Sequence, residues 1–328
     1  IQKRQKQLEL TIALTNYCNF SCVYCYQNKN EKLMTTEVAN MIIEKIDRIL
    51  NDNIFEGINI HYFGGEPLLN IPVLIYLDEN IKKITDKIGI VYKAFLTTNG
   101  SMLSKELLQK VKFSSIQLTF DGLEKTHDRL RVSDHFHFKE EIELIENIMN
   151  FTQAKVLLRT NICKENKDEI IALHKYIFEK FGNERIEINP NRTIKYHQDD
   201  SFEMLSVQEY AEVAYQIKLL WSEQKGKFEL PVPRSTPCKF PYGNAYAISP
   251  EGYCTFCSGS MDQEKKYFFD VDIENKKMFS VRKECKKCNI LPLCLGGCII
   301  QYNLRAGACT YEKYELKNIL ISYIKHIS

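Results

Sequence analysis

The chain has 328 residues, 44% of them hydrophobic and 26% charged, with a net charge of +2. This is enough for one large domain plus a smaller one, or for two domains, of ordinary globular composition. The near-neutral charge gives no general attraction to nucleic acid or anionic lipid. No apolar run approaches the roughly 20 residues that span a bilayer, and no secretory signal is visible. The 12 cysteines fall largely in tight C-x2-C clusters. In an intracellular chain such clusters indicate metal or cluster ligands rather than disulfides, so a reducing cytoplasm is expected.

In chain order, strand patterns are expected at residues 8–14, 58–63, 91–96, 115–120, 155–162 and 185–188. Helical patterns alternate with them. Residues 37–50, capped by Thr36, carry Val38, Met41, Ile42, Ile46 and Ile49 at helical spacing, and further helices are expected at 71–88, 104–111, 139–151 and 168–181. Six strands alternating with helices imply an α/β fold, a parallel sheet with right-handed crossovers. Residues 1–190 form this unit. Residues 191–236 read as a bridge, with one helix at 206–224 and then Pro231, Pro233 and Pro237. Tyr210, Tyr215 and Trp221 on that helix fit a core role better than a cavity mouth. Residues 237–310 hold short strands, turns and eight cysteines, and residues 311–328 are a closing helix.

Cys18, Cys22 and Cys25 directly follow the first strand as C-x3-C-x2-C, with Tyr24 before the third cysteine. Structural zinc usually takes four ligands. Three soft thiolates suit a [4Fe–4S] cluster with one open iron. Taken alone, the three also fit a partial zinc site or packed thiols. Gly64-Gly65-Glu66-Pro67 follows the second strand; the glycines permit close backbone approach by a ligand, and Glu66 offers an acceptor to an ammonium. Thr97-Thr98-Asn99-Gly100 and Thr119-Phe120-Asp121-Gly122 end the third and fourth strands, where Asn-Gly and Asp-Gly are also common turns. His127, Asp128 and Arg131 come next. Arg159 is a charge inside the apolar run KVLLRTNI and must be paired.

Together these motifs resemble the radical S-adenosylmethionine (SAM) enzymes. The resemblance implies a partial (β/α)6 barrel with its site at the C-terminal ends of the strands. It implies that the open iron is chelated by the amino and carboxylate groups of SAM. One electron then breaks the S–C5′ bond, and a 5′-deoxyadenosyl radical removes a hydrogen atom from the substrate. Gly64, Gly65 and Glu66 would hold the SAM amino group. Thr119 and Asp121 would bond the ribose hydroxyls, Asn99 would sit near the methionine part or the substrate, and Arg159 would meet the SAM carboxylate. Tyr24 is the family's aromatic residue.

The second unit reads Cys238-x13-Gly252-x4-Cys257, Cys285-x2-Cys288-x5-Cys294-x3-Cys298, then Cys309. It resembles the SPASM domain, an extension of radical SAM enzymes that modify peptides and proteins. The resemblance implies two auxiliary [4Fe–4S] clusters, three in all. The second would take Cys285, Cys288, Cys294 and Cys309. The first would take Cys238, Cys257 and Cys298, with Cys254 a candidate fourth ligand. Without it, one iron is open to a substrate thiol or water. A pair of zinc sites in a non-catalytic interaction module is the alternative.

Cys163 belongs to no cluster motif. In related peptide epimerases a thiol returns a hydrogen atom to the substrate, and Cys163 is the candidate for that role. The expected function is a peptide maturase, with thioether formation between a Cys sulfur and a carbon leading. Carbon–carbon or ether cross-linking, epimerisation and formylglycine formation are alternatives, as is the same chemistry on a small molecule. For formylglycine formation, Ser258 stands after Cys257 where that subfamily carries an Asp. The expected partners are a precursor peptide with a leader and an external electron donor of flavodoxin or ferredoxin type, with no nucleic acid and no membrane.

Overall fold

Alternating strands and helices require crossover connections, and the chain builds them. The computed structural model describes residues 7–51, 55–182, 185–196, 201–228, 230–234, 238, 240, 244–255, 257–260, 266–271, 281–298 and 309–327. Strands β1 (Gln7–Ala13), β2 (Gly57–Phe63), β3 (Val91–Thr97), β4 (Phe113–Thr119), β5 (Lys155–Ile162) and β6 (Ile186–Arg192) are parallel. They run in the order β6-β5-β4-β3-β2-β1, an open sheet with β6 at its edge.

The other side of β1 pairs in parallel with β7 (Ala245–Ile248). Then come β8 (Tyr253–Thr255) and β9 (Lys266–Tyr267), both antiparallel. The cysteine-rich unit is therefore hydrogen-bonded into the same sheet. β1 has a neighbour on each side, and its apolar residues alternate with polar ones: Leu8, Leu10 and Ile12 share one face and are fully buried.

The crossovers are α1 (Thr36–Asn51), α2 (Ile71–Ile88), α3 (Lys105–Lys110), α4 (Glu124–Leu130), α5 (Phe138–Phe151) and α6 (Ile170–Phe181). Two predicted details change. Thr36 lies inside α1, and the Thr35 hydroxyl accepts from the Val38 amide at 3.4 Å in the capping position. β6 runs on to Arg192, held by its pairing with β5, past the expected strand end at residue 188; the sequence pattern missed this half because Asn189, Asn191 and Arg192 are polar. Pro190 is tolerated because β6 is an edge, and its carbonyl takes the Tyr210 hydroxyl at 2.7 Å.

The bridge helix α7 (Val207–Lys225) starts on a Ser206–Glu209 capping box and buries Tyr210 and Trp221. Trp221 Nε1 donates to His174 Nδ1 at 3.0 Å, and His174 Nε2 lies 3.2 Å from the Thr160 hydroxyl. The C-terminal helix (Glu312–Ile327) packs on α7 through Tyr215–Ser322 at 2.6 Å and Lys218–Glu315 at 2.6 Å.

Candidate functional site

The loops after β1 and β2 are joined backbone to backbone. Gly65 N donates to Thr15 O and Glu66 N to Tyr17 O, both at 2.9 Å. Gly64 has φ +146°, and a Cβ on Gly65 would stand 2.2 Å from Tyr17 O. The two glycines are thus demanded by the chain's own backbone, whatever else approaches them. This contact aims the cysteine loop. Cys18 Sγ accepts from Phe20 N at 3.5 Å and from Asn99 Nδ2 at 3.9 Å. Asn99 Nδ2 also donates to Asn19 at 2.8 Å, Asn19 donates to Ser101 at 2.9 Å, and Ser101 donates back to Asn99 at 2.7 Å.

A cavity of about 430 Å³ opens at the C-terminal ends of the strands. Cys18, Cys22 and Cys25 line it, as do Tyr24, Gly64, Gly65, Asn99, Thr119 and Arg159. Glu66 and Asp121, predicted beside them, stand behind the wall and are fully buried. The Glu66 carboxylate is already engaged: it accepts from Leu68 N at 2.9 Å, Thr98 Oγ1 at 2.7 Å and Asn99 N at 2.7 Å. Burial pushes its pKa up to about 6, against the pull of these donors. Asp121 accepts from the Tyr24 hydroxyl and, at 2.7 Å, from Asn161 N. Both acids brace the loops that form the wall. His127 and Asp128 do likewise: His127 Nδ1 takes the Asp121 amide at 3.4 Å, and Asp128 takes the Phe138 amide at 2.9 Å. Burial also leaves the Arg159 guanidinium less basic than usual; its Nε donates to Asn161 at 2.9 Å.

The C-terminal unit supplies Cys257 and Cys298 to the same cavity. Cys285, Cys288, Cys294 and Cys309 line a second, smaller one. Cys238 is exposed and lines neither. Cys254 is not brought to the first cavity: on β8 it points into the main hydrophobic cluster and is 2% exposed. Cys163 is fully buried beside Leu130 and Phe202, outside the cavity lining. Its thiol is 3.6 Å from Asn166 Oδ1, and burial pushes its pKa up to about 12.

Among the described residues no group of three or more His, Cys, Asp or Glu is placed to hold a single metal ion. A cubane cluster keeps its cysteine sulfurs further apart than the roughly 4 Å edge of a tetrahedral zinc–thiolate site. Cys18, Cys22 and Cys25, brought to one cavity by a single loop and with no described carboxylate in its lining, fit a thiolate-held cluster with a position open to a second ligand.

The motifs did not reveal Tyr26, Gln117, Asn161, Asn191, Arg192 and Tyr196, which also line the cavity. Tyr26 and Tyr196 face each other with ring centroids 5.1 Å apart. Burial pushes the Tyr196 pKa up to about 12. The available signal was the amides on strand patterns: Asn161 on β5 is level with Asn191 on β6, and Asn189 donates to Gln117 on β4 at 3.1 Å.

The family model of the radical SAM superfamily matches residues 12–177, half of the chain. The chain therefore belongs to the radical SAM superfamily, which implies SAM and a [4Fe–4S] cluster as cofactors. The radical SAM cyclopropyl synthase TigE of Paramaledivibacter caminithermalis is 24% identical over 95% of this chain and 73% of its own. An uncharacterized protein of Methanocaldococcus jannaschii is 34% identical over 35% of this chain, which spans only 39% of that protein. The GTP 3′,8-cyclase of Clostridium perfringens, 31% identical over 50% of this chain, is likewise spanned over only half its length. The fold is shared with anSMEcpe, solved with bound AdoMet, at a TM-score of 0.75 and 18% identity over 98% of this chain and 100% of that one. Streptococcus suis SuiB, solved with its precursor peptide SuiA, gives a TM-score of 0.62 and 17% identity over 92% of this chain and 74% of that one. The shared fold thus reaches the described residues of the cysteine-rich unit. No helix among the described residues is long and apolar enough to cross a membrane.

Proposed function

We propose that this chain is a radical SAM maturase of SPASM type that acts on a ribosomally made peptide and closes a thioether between a Cys sulfur and a carbon. The observation that carries this reading is the shared cavity: Cys257 and Cys298 face the same space as Cys18, Cys22 and Cys25. In this reading Cys18, Cys22 and Cys25 hold the SAM cluster. Cys238, Cys257 and Cys298 hold one auxiliary cluster, and Cys285, Cys288, Cys294 and Cys309 hold another. When bound, SAM and its cluster supply a 5′-deoxyadenosyl radical able to remove a hydrogen atom. Arg159 and Asn99 orient the methionine part, and Thr119 faces the ribose. Glu66 and Asp121 act through the loops they brace. With Cys254 turned into the core, three cysteines leave a coordination position at the first auxiliary site for the peptide's own thiol. Gln117, Asn161 and Asn191 offer amides to an extended backbone. Cys163, enclosed and poorly ionisable, is an inert packing thiol in this reading.

Support for a peptide substrate comes from neighbours solved with peptides: SuiB with SuiA, and anSMEcpe with the Cp18Cys peptide. A flavodoxin- or ferredoxin-type protein in a reducing cytoplasm is the proposed electron source. Carbon–carbon bond formation is the second reading, favoured by the similarity to a cyclopropyl synthase along 95% of the chain. The test is anaerobic turnover of reconstituted protein with SAM, dithionite and peptides encoded beside it. A product lighter by two hydrogen atoms that no longer reacts with iodoacetamide supports the thioether. The same mass loss with the thiol still free turns the reading to a carbon–carbon bond. 5′-Deoxyadenosine without any peptide product overturns the peptide reading.

A further inference from the structure

We propose that Arg131 is the built-in counter-ion of the SAM-cluster cysteines, a positioning residue that sets how readily their cluster takes an electron. The inference rests on the reading that Cys18, Cys22 and Cys25 hold that cluster. Its basis is geometric. Ser21 N donates to Val132 O at 2.8 Å and Val23 N donates to Leu130 O at 3.0 Å. These two bonds bracket Cys22 and Arg131 and set them opposite each other across a short backbone pair. Arg131 N donates to His127 O at 2.8 Å, so the end of α4 fixes the arginine from its other side. The guanidinium carbon lies 5.4 Å from the centroid of the Phe20 ring. The residue is 6% exposed and lines the cavity with the three cysteines.

A buried guanidinium needs compensating charge, and local carboxylates do not provide it by contact. Arg131 Nε has no hydrogen-bond acceptor among the described residues. The acids nearby, Glu141 and Asp121, act on Arg131 through space and make no ion pair with it among the described residues. Asp121 serves Tyr24 and Asn161. Glu141 takes the Thr119 amide at 3.2 Å and faces His127 Nε2 at 3.2 Å. The group set opposite Arg131 across the backbone pair is Cys22, and both line the cavity, so the guanidinium stands beside the place where a thiolate-held cluster would bring negative charge. An arginine holds this position well because its charge is permanent and its planar group stacks on Phe20.

A thiolate-held cluster becomes more negative when it accepts an electron. A fixed cation beside it stabilises the reduced state more than the oxidised one and raises the reduction potential; net charge and donors to sulfur are the levers a protein has. The test uses the full chain, reconstituted anaerobically. Arginine labelled with nitrogen-15 in the guanidinium is incorporated, and pulsed EPR of the reduced cluster is recorded. A nitrogen-15 coupling is expected in the wild type, retained in Arg159→Lys and lost in Arg131→Lys. Midpoint potentials are measured in parallel. Arg131→Met is expected to shift the potential downward, with Arg131→Lys recovering most of the shift. A wild type without the coupling overturns the proposal, as does Arg131→Met at full iron content with the wild-type potential. If Arg131→Met fails to hold iron, the wild-type coupling and the Lys variant decide. A wild type with no SAM-responsive cluster signal overturns the cluster reading, and this proposal with it.

Discussion

Gly65 is held more tightly than the acids behind the cavity. A Cβ there would meet Tyr17 O at 2.2 Å, and neither backbone can retreat without moving the cysteine loop. Gly65→Ala is expected to cost about 1–3 kcal/mol, read by thermal melting, with reduced iron loading after reconstitution. Glu66 makes the complementary prediction. In Glu66→Gln the new NH2 group confronts one of three donors and leaves it unpaired, a loss of about 1–3 kcal/mol in denaturant unfolding. Its pKa is raised from 4.5 to about 6, so its stabilising share is full below the ordinary value and falls as pH rises through 6. The wild type should show that fall between pH 4.5 and 6, and Glu66→Gln should not. The sequence marked both residues, yet the motif suggested ligand contact. That their first duty is to the chain's own loops depends on neighbours at Tyr17 and Thr98, which no local pattern reveals.

At the level of elements, α6 and α7 are fastened by a buried imidazole. Trp221 donates to Nδ1 of His174, so Nε2 carries the proton and donates to Thr160. Burial lowers the His174 pKa from 6.5 to about 3. Its contribution is therefore complete above pH 6.5 and is lost as pH falls toward 3, an effect on the order of a few kcal/mol. Unfolding measured across that range should show the decline, and His174→Phe should flatten it. The strands and long helices were legible because their apolar periodicity is strong. α4, with the sequence EKTHDRL, was not, since its charges hide a buried face of Thr126, His127 and Leu130. The second half of β6 was hidden for a related reason: Asn191 and Arg192 line a cavity rather than a core, and Asn189 bonds to Gln117.

On the scale of the whole molecule, cysteine spacing told the groups apart but not that two of them meet. Cys257 and Cys298 reach the first cavity because β7 pairs with β1, a contact between residues more than two hundred positions apart. Cys254 shows the limit of spacing: its distance in sequence suits a ligand, while alternation on β8 turns it into the core. On the proposed three-cluster reading, replacing Cys285 with Ala should remove about four of roughly twelve irons from reconstituted protein. Cleavage of SAM by dithionite-reduced protein should persist, since Cys285 lies at the second cavity. Iron analysis alongside 5′-deoxyadenosine measurement checks this.

The place of β1 also matters for synthesis. It is the first described strand to leave the ribosome, and one flank must wait for β7 before it is covered. Until then a nascent chain presents a strand with one apolar face and an unpaired edge, next to a thiol loop whose second wall has yet to arrive. Late pairing would keep Cys18, Cys22 and Cys25 accessible to assembly factors during translation, and would make truncated chains prone to aggregate at that edge.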